Sequence, residues 1–276
     1  MKIFYYLNGK IVGKEKALIP VNDLGLLRAY GVFDYLRTYK RTPFYLKDHL
    51  NRFFQSAASL NLKSPLSKKE IEKVIFELIK KNKNLKDLSF RMVLTGGPSE
   101  DARTSKKPNF FIIVNPAHAY PEKVFKEGIK LLTLDYCREF PATKTINYLW
   151  AISQWKNILK KGAMEILYVW QGKIFEASTS NFFMVKNKVL FTPKSEVLEG
   201  VTRKLVIKLA KENKIRVVEK DIFLNEALKA DECFITATNK EIMPVVRINN
   251  QTIGNGRPGE QTKKLLTLFK ELRDNF

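Results

Sequence analysis

An α+β fold in two domains is what the sequence predicts, on three observations. Short β-type runs alternate with amphipathic helical patterns along all 276 residues, without an internal repeat. The pattern stops at a proline-bounded stretch, residues 116–121, and then restarts. With 45% hydrophobic residues, the chain can bury a core on each side of that break. The expected organisation is a small N-terminal α/β domain over 1–117, a linker at 118–122 and a larger C-terminal domain over 123–276.

The elements follow in order. Residues 3–7 and 10–12 read as strands joined by Asn8-Gly9, a favoured hairpin turn. A second hairpin pairs 32–40 with Phe44-Tyr45, turning through Arg41-Thr42-Pro43. Residues 46–60 place Leu46, Leu50, Phe53, Phe54, Ala57 and Leu60 on one helical face. Ser67 and Glu70 form the S-x-x-E signature that opens another helix. Residues 88–95 and 109–115 predict paired strands around a charged, Gly/Pro-rich loop at 96–108, long enough to close over a site. Past the linker come a strand at 129–134, a helix at 147–160, a strand at 166–170 and a turn at Gln171-Gly172. Strands at 182–185 and 189–191, a helix at 201–213, strands at 215–219 and 232–236, and a helix after Pro258 complete the chain.

The charge is large: 49 Lys+Arg against 28 Asp+Glu, a net +21. Lysines lie on polar helix faces and in turns, often beside glutamate, which predicts a solvated basic surface rather than nucleic-acid binding. A basic nucleic-acid-binding protein remains the alternative of a different class. No run approaches the roughly 20 apolar residues of a membrane span, and no signal-peptide pattern opens the chain. Cys137 and Cys233 lack the spacing of a zinc or redox pair and read as small core residues. A cytoplasmic enzyme that does not use the membrane is the expectation.

Metal, Ser-His-Asp, Walker-type and dinucleotide chemistry all lack their motifs, and His49 and His118 are the only histidines. No metal site is expected. Three short polar segments remain. Leu198 to Arg203 puts Gly200 and Thr202 at a helix start, where free amides bind anions. Thr236-Ala237-Thr238-Asn239 repeats that offer, and Ser178-Thr179-Ser180-Asn181 follows Glu176. Each alone is as easily a helix cap or turn. Two anion cups, with a lysine flanked by a tyrosine, suit a phosphorylated cofactor held near an amine; pyridoxal phosphate fits.

The ordered motifs are more specific. They run Asp23 to Arg28, Gly31-Val32-Phe33-Asp34, Leu36-Arg37, His49-x-x-Arg52 with Ser56-Ala57, Lys144-x-x-Asn147-Tyr148, Glu176-x-Ser-x-Ser-Asn181, Leu198-x-Gly-Val-Thr-Arg203, and Phe234-x-Thr-x-Thr238 before Glu241-Ile242. In this order, over nearly the whole chain, they resemble the class IV, fold type IV pyridoxal-phosphate enzymes: branched-chain aminotransferases, D-amino-acid aminotransferases and aminodeoxychorismate lyase. The resemblance implies a β-barrel-like C-terminal cofactor domain with helices. It makes Lys144 the Schiff-base lysine and catalytic proton carrier, and Arg52 a phosphate ligand alongside Val201, Thr202, Ala237 and Thr238. Glu176 would partner the ring nitrogen, Tyr148 the ring hydroxyl, and Asn181 the ring side of the site. His49 would position its helix.

For the substrate, amino acids and 2-keto acids, the patterns diverge. The R-x-H carboxylate trap of D-amino-acid enzymes is missing after Leu94, where the chain reads Thr95-Gly96-Gly97-Pro98. Arg91 matches the strand arginine of the branched-chain enzymes, and Arg28 lies in a loop that reaches the neighbouring subunit in this family, implying a homodimer. Tyr30, Phe33 and Tyr35 supply aromatics for a side-chain pocket. The expectation is D-amino-acid transamination with Arg28 and Arg91 on the carboxylate. A branched-chain L-amino-acid aminotransferase and aminodeoxychorismate lyase stand as alternatives.

Overall fold

The structure is a computed structural model that describes residues 2–105 and 107–276. It resolves into two compact units, and each is taken by itself.

The first unit is the chain up to His118, joined by Thr143–Asn147 and Phe276. Its elements are β1 (Phe4–Leu7), β2 (Lys10–Gly13), α1 (Leu24–Arg28), β3 (Gly31–Tyr39), β4 (Thr42–Pro43), α2 (Leu46–Ser59), α3 (Lys68–Lys81), β5 (Leu88–Thr95) and β6 (Asn109–Pro116). The strands form one six-stranded sheet in the order β2-β1-β6-β5-β3-β4. Strand alternation divides its residues between two faces. Val32, Leu36, Phe90, Met92, Leu94, Phe110, Ile112 and Val114 are buried in one cluster with Leu50, Phe53 and Ala57 of α2 and Ile71, Ile75 and Leu78 of α3. Phe33, Tyr35, Arg91 and Ile113 have the opposite parity, and Tyr35, Arg91 and Ile113 stand side by side across β3, β5 and β6. The capping box of α3 is formed: the Ser67 hydroxyl and the Glu70 carboxylate each accept from the other's backbone N–H.

Two local expectations are corrected here. The second hairpin turns at Lys40-Arg41, both at positive φ (48° and 63°), and returns as Thr42–Pro43, not Phe44-Tyr45. Positive φ at both central residues matches the twist of paired strands. The turn is pinned because Asp87 accepts the Arg41 N–H at 2.9 Å while the guanidinium donates to the Leu85 and Ile79 carbonyls. Pro116, where the sequence pattern is expected to stop, is the last residue of β6, paired with Leu88.

The second unit comprises Ala119–Ala142 and Tyr148–Asn275. It contains α4 (Glu122–Glu127), β7 (Ile129–Asp135), α5 (Leu149–Lys160), β8 (Glu165–Trp170), β9 (Lys173–Ala177), β10 (Ser180–Lys186), β11 (Val189–Thr192), α6 (Val201–Glu212), β12 (Val217–Glu219), β13 (Ile222–Phe223), α7 (Leu224–Ala227), β14 (Glu232–Ala237), β15 (Glu241–Ile248), β16 (Gln251–Thr252) and α8 (Glu260–Asp274). Pairing runs β10-β14-β15-β7-β8-β9, and a further β9–β10 pairing joins the ends into a closed ring. The barrel-like expectation is met. Its apolar lining includes Leu131, Leu167, Val169, Phe182, Met184, Cys233, Ile235, Met243 and Val245. Phe183 and Phe234, on the other face, stack with centroids 4.8 Å apart.

Cys233 is buried as expected, but Cys137 is only half-buried and departs from the core reading. It lies past the end of β7, outside the barrel lining. No helix of the described residues is long and apolar enough to cross a membrane. No group of three or more potential metal-ligating residues occurs among them.

Candidate active site

In the first unit, β4 covers β3 only at Thr38 and Tyr39. Further along, the segment Thr143–Asn147 takes the same role. The Phe33 N–H donates to the Lys144 carbonyl at 2.9 Å, the Ile146 N–H to the Gly31 carbonyl at 3.1 Å, and Val32 bridges Thr145. The Lys144 N–H donates to Ser56 Oγ of α2 at 3.1 Å. Lys144 is thereby held at both backbone groups, with Nζ 4.6 Å from the Phe33 ring centroid. The Arg91 guanidinium carbon lies 5.5 Å from the same centroid. This ring therefore brings together three of the residues singled out from sequence, with Tyr35 opposite Arg91 in register.

Arg52, from α2, points back at β3. Its Nε donates to Asp34 Oδ2 and its Nη2 to Asp34 Oδ1, both at 2.8 Å, and His49 Nδ1 lies 2.7 Å from Oδ1. A planar guanidinium and a carboxylate meet in this two-point geometry. Burial alone would raise the Asp34 carboxyl, but Arg52 and His49 hold it well below the usual carboxylate range. Burial pushes the His49 imidazole down from its ordinary value, and the ring braces the Asp34 carboxylate beside Arg52. Asp34 has no assigned role in the sequence reading, although the alternation of β3 and the i, i+3 spacing of His49 and Arg52 converge on it.

The other substrate candidates are dispersed. Tyr30 donates its hydroxyl to the Leu60 carbonyl at 2.6 Å. Arg28, exposed at the end of α1, donates to the Leu27 carbonyl. Asp23 fixes the start of α1: its carboxylate accepts from the Gly25 N–H, Thr95 Oγ1 and Asn109 Nδ2.

In the second unit, the strand pair that closes the barrel carries the acid. Glu176 is in register with Asn181. Glu176 Oε1 accepts from Arg138 at 2.7 Å; Oε2 accepts from Asn181 Nδ2 and the Leu198 N–H, each at 3.1 Å. Asn181 also donates to the Leu198 carbonyl at 2.7 Å, which fixes the approach to α6. Three donors converge on the Glu176 side chain, so it stands as an acceptor. Arg138 gave no signal in the sequence beyond its charge.

α6 begins with no side-chain cap, and Val201 and Thr202 are both buried. Its first amides have no helical carbonyl to meet. At Gly200 a Cβ would lie 2.0 Å from Asn181 Oδ1, so only glycine lets the chain enter the helix so close to that amide. Arg203 holds the same end through the Pro193 carbonyl (2.9 Å) and Glu219 (2.7 Å). Ala237 ends β14, and Thr238 follows in the turn to β15. Tyr148 precedes α5 and packs, half-buried, against the cluster of Ala151, Ile158, Ala163, Ile166 and Tyr168.

The Ser178–Ser180 hydroxyls turn elsewhere. All three, with the Thr179 N–H, meet the buried Glu165 carboxylate, and Lys240 Nζ lies 3.0 Å from its Oε2. Burial alone would raise the Glu165 carboxyl; Lys240 and the Thr179 donors bring it below its ordinary value.

Comparison with known proteins agrees with this arrangement. A model of the family described as Amino-transferase class IV matches residues 31–248. A Methanocaldococcus jannaschii protein, provisionally named a branched-chain-amino-acid aminotransferase, is 40% identical over 287 residues, covering 100% of this chain and 98% of its own. The Bacillus licheniformis D-alanine aminotransferase is 29% identical over 280 residues, covering 98% and 96%. Among solved structures, the T.th. branched-chain amino acid aminotransferase with pyridoxamine 5′-phosphate superimposes with a TM-score of 0.92 at 27% identity, covering 100% of this chain and 95% of that one. The motifs, the closed barrel and these matches have one reading: the chain belongs to the class IV aminotransferases, which work with pyridoxal phosphate.

Proposed function

We propose that this aminotransferase takes its amino group from D-amino acids, with Arg91 receiving the substrate carboxylate. The observation that carries the reading is the shared ring of Phe33, with Lys144 Nζ at 4.6 Å and Arg91 at 5.5 Å. D- and L-amino acids offer the same Cα–H to one lysine only when carboxylate and side chain exchange places. The position of the carboxylate's cation therefore decides handedness. A carboxylate entering a partly dry pocket needs such a cation, because leaving it unpaired costs several kcal/mol.

The residues of the second unit suit the cofactor. The uncapped start of α6 and the Cβ-free Gly200 leave amides open to an anion, to which the Thr238 hydroxyl would add a donor, and Glu176 is an acceptor with fixed orientation. Pyridoxal phosphate, when bound, supplies an electron sink for the pair left at the substrate Cα. Val201, Thr202, Ala237, Thr238 and Arg52 hold its phosphate, Glu176 its ring nitrogen with Asn181 in support, and Tyr148 its ring hydroxyl. Lys144 would be the amine that holds its aldehyde carbon and, as a free amine, would move the proton at the substrate Cα. Phe33 and Tyr35, on the face of β3 that carries Arg91 opposite, wall the side-chain pocket. Tyr30 packs instead against the core cluster with its hydroxyl on the Leu60 carbonyl and takes no part in it. A second reading, L-branched-chain transamination, is favoured by the 40% identical relative.

Single-turnover reactions with paired D- and L-amino acids, followed by loss of the cofactor's visible band, separate the two. Faster turnover of D-enantiomers is expected. Faster turnover of L-leucine or L-valine selects the second reading.

A homodimer belongs to the same proposal, with Arg28 supplied to the partner copy. Leu18, Val21 and Leu26, on the segment leading to Arg28, are 76%, 82% and 66% exposed, an apolar stretch that a second copy would cover. A dimer by light scattering is expected; a fully active monomer contradicts it. The basic surface and the cytoplasm complete the proposal, with small molecules rather than nucleic acid as partners.

A further inference from the structure

Thr236 lies in β14, in register opposite Asn181 of β10. It is 1% exposed. Its Oγ1 is one of two buried side-chain polar atoms without a hydrogen-bond partner among the described residues; the other is Gln261 Oε1. Gln261 lies at the start of α8, where its amide nitrogen donates to the Lys188 carbonyl in an exposed setting. Thr236 is deep in the second unit, beside the residues assigned above to the cofactor. Folded proteins rarely bury a hydroxyl with nothing to meet it, because the desolvation is then uncompensated.

The surroundings indicate what would meet it. Thr236 has the parity of Phe234, so its side chain leaves the barrel on the face of the stacked Phe183 and Phe234, away from the lining that holds Cys233 and Ile235. On that face, Asn181 reaches the Leu198 carbonyl and lies against Gly200 at the entry to α6. One residue further along β14 is Ala237, and the next is Thr238. The hydroxyl thus shares its barrel face with Asn181, which lies against Gly200 at the uncapped start of α6, and Thr238 follows two residues on; groups of this kind suit an anion.

We propose that Thr236 is a direct cofactor contact, its hydroxyl donating a hydrogen bond to a phosphate oxygen of pyridoxal phosphate. The proposal rests on reading the α6 start and Thr238 as the phosphate site. A phosphate monoester presents acceptors only, and a threonine hydroxyl rotates its single proton toward them. Valine has the same shape without that proton.

The test compares Thr236→Val and Thr236→Ser with the natural protein. Apoproteins are titrated with pyridoxal phosphate and with pyridoxal, which lacks the phosphate, while intrinsic fluorescence is followed. Thermal midpoints of the apoproteins are measured in parallel. Thr236→Val should keep or raise the apoprotein midpoint, since it removes an unmet buried hydroxyl. It should weaken pyridoxal phosphate binding about three- to tenfold, the worth of one hydrogen bond, and leave pyridoxal binding unchanged. Thr236→Ser should bind pyridoxal phosphate as the natural protein does. Unchanged pyridoxal phosphate affinity in Thr236→Val overturns the proposal. So does an equal loss for both ligands, which would put the hydroxyl on the ring. If the natural apoprotein binds pyridoxal phosphate no better than pyridoxal, the phosphate site itself is misassigned, and this inference falls with it.

Discussion

Replacing Lys144 with alanine is expected to slow amino-group transfer by at least about 10³-fold, since in the proposed site this lysine is both the covalent attachment and the proton carrier. The purified variant should also lose the visible absorbance of the lysine-bound cofactor. No other lysine is expected to take over, despite a chain with 49 Lys+Arg. The reason is placement. Lys144 sits on the free edge of β3, its N–H on Ser56 Oγ and its carbonyl on the Phe33 N–H, so its side chain leaves a backbone fixed at both ends. A lysine on a solvated helix face has no comparable constraint. Retention of the absorbance and of more than a few per cent of the rate would move the chemistry to another residue.

The second large effect is expected at Arg91. Arg91→Ala should slow the half-reaction of every accepted amino acid by about a hundredfold, from about 3 kcal/mol of lost charge-assisted binding. The thermal midpoint and the cofactor absorbance should stay where they are. Arg91 is exposed on β5 with its guanidinium over the Phe33 ring, so truncating it removes little from the fold. Asp101, the acid that sequence proximity offers as a structural partner, is occupied elsewhere. Its carboxylate accepts from Ser99 Oγ, the Arg103 and Thr104 N–H groups and Thr104 Oγ1, holding its own loop together. Natural kinetics in Arg91→Ala would remove the main support for the D-amino-acid reading.

What could be read from the sequence follows the range of the interactions involved. The helices α2 and α3 were legible because periodicity and the Ser67–Glu70 box are local signals. The same holds for the β1–β2 turn at Asn8-Gly9. β15 is hidden from a sequence reading because Pro244 and the positive φ of Glu241 interrupt its β-type pattern. Its parallel pairing with β7 begins at Val245, one residue after the proline. The docking of Thr143–Asn147 on β3 is a pairing between distant parts of the chain, with no local signature. The same limit hid the partners of the assigned residues. Asp34 under Arg52, Arg138 against Glu176, and Lys240 against Glu165 are contacts that only the folded chain brings about. The motifs named the residues but not what holds them.

Everything proposed for the site turns on Lys144 as the residue that carries the cofactor. Reduction of the purified holoenzyme with borohydride fixes the attached group in place, and proteolysis with mass spectrometry then locates it. A single pyridoxyl-modified peptide spanning Lys144 is expected. A modification on any other lysine, or none at all, would contradict it.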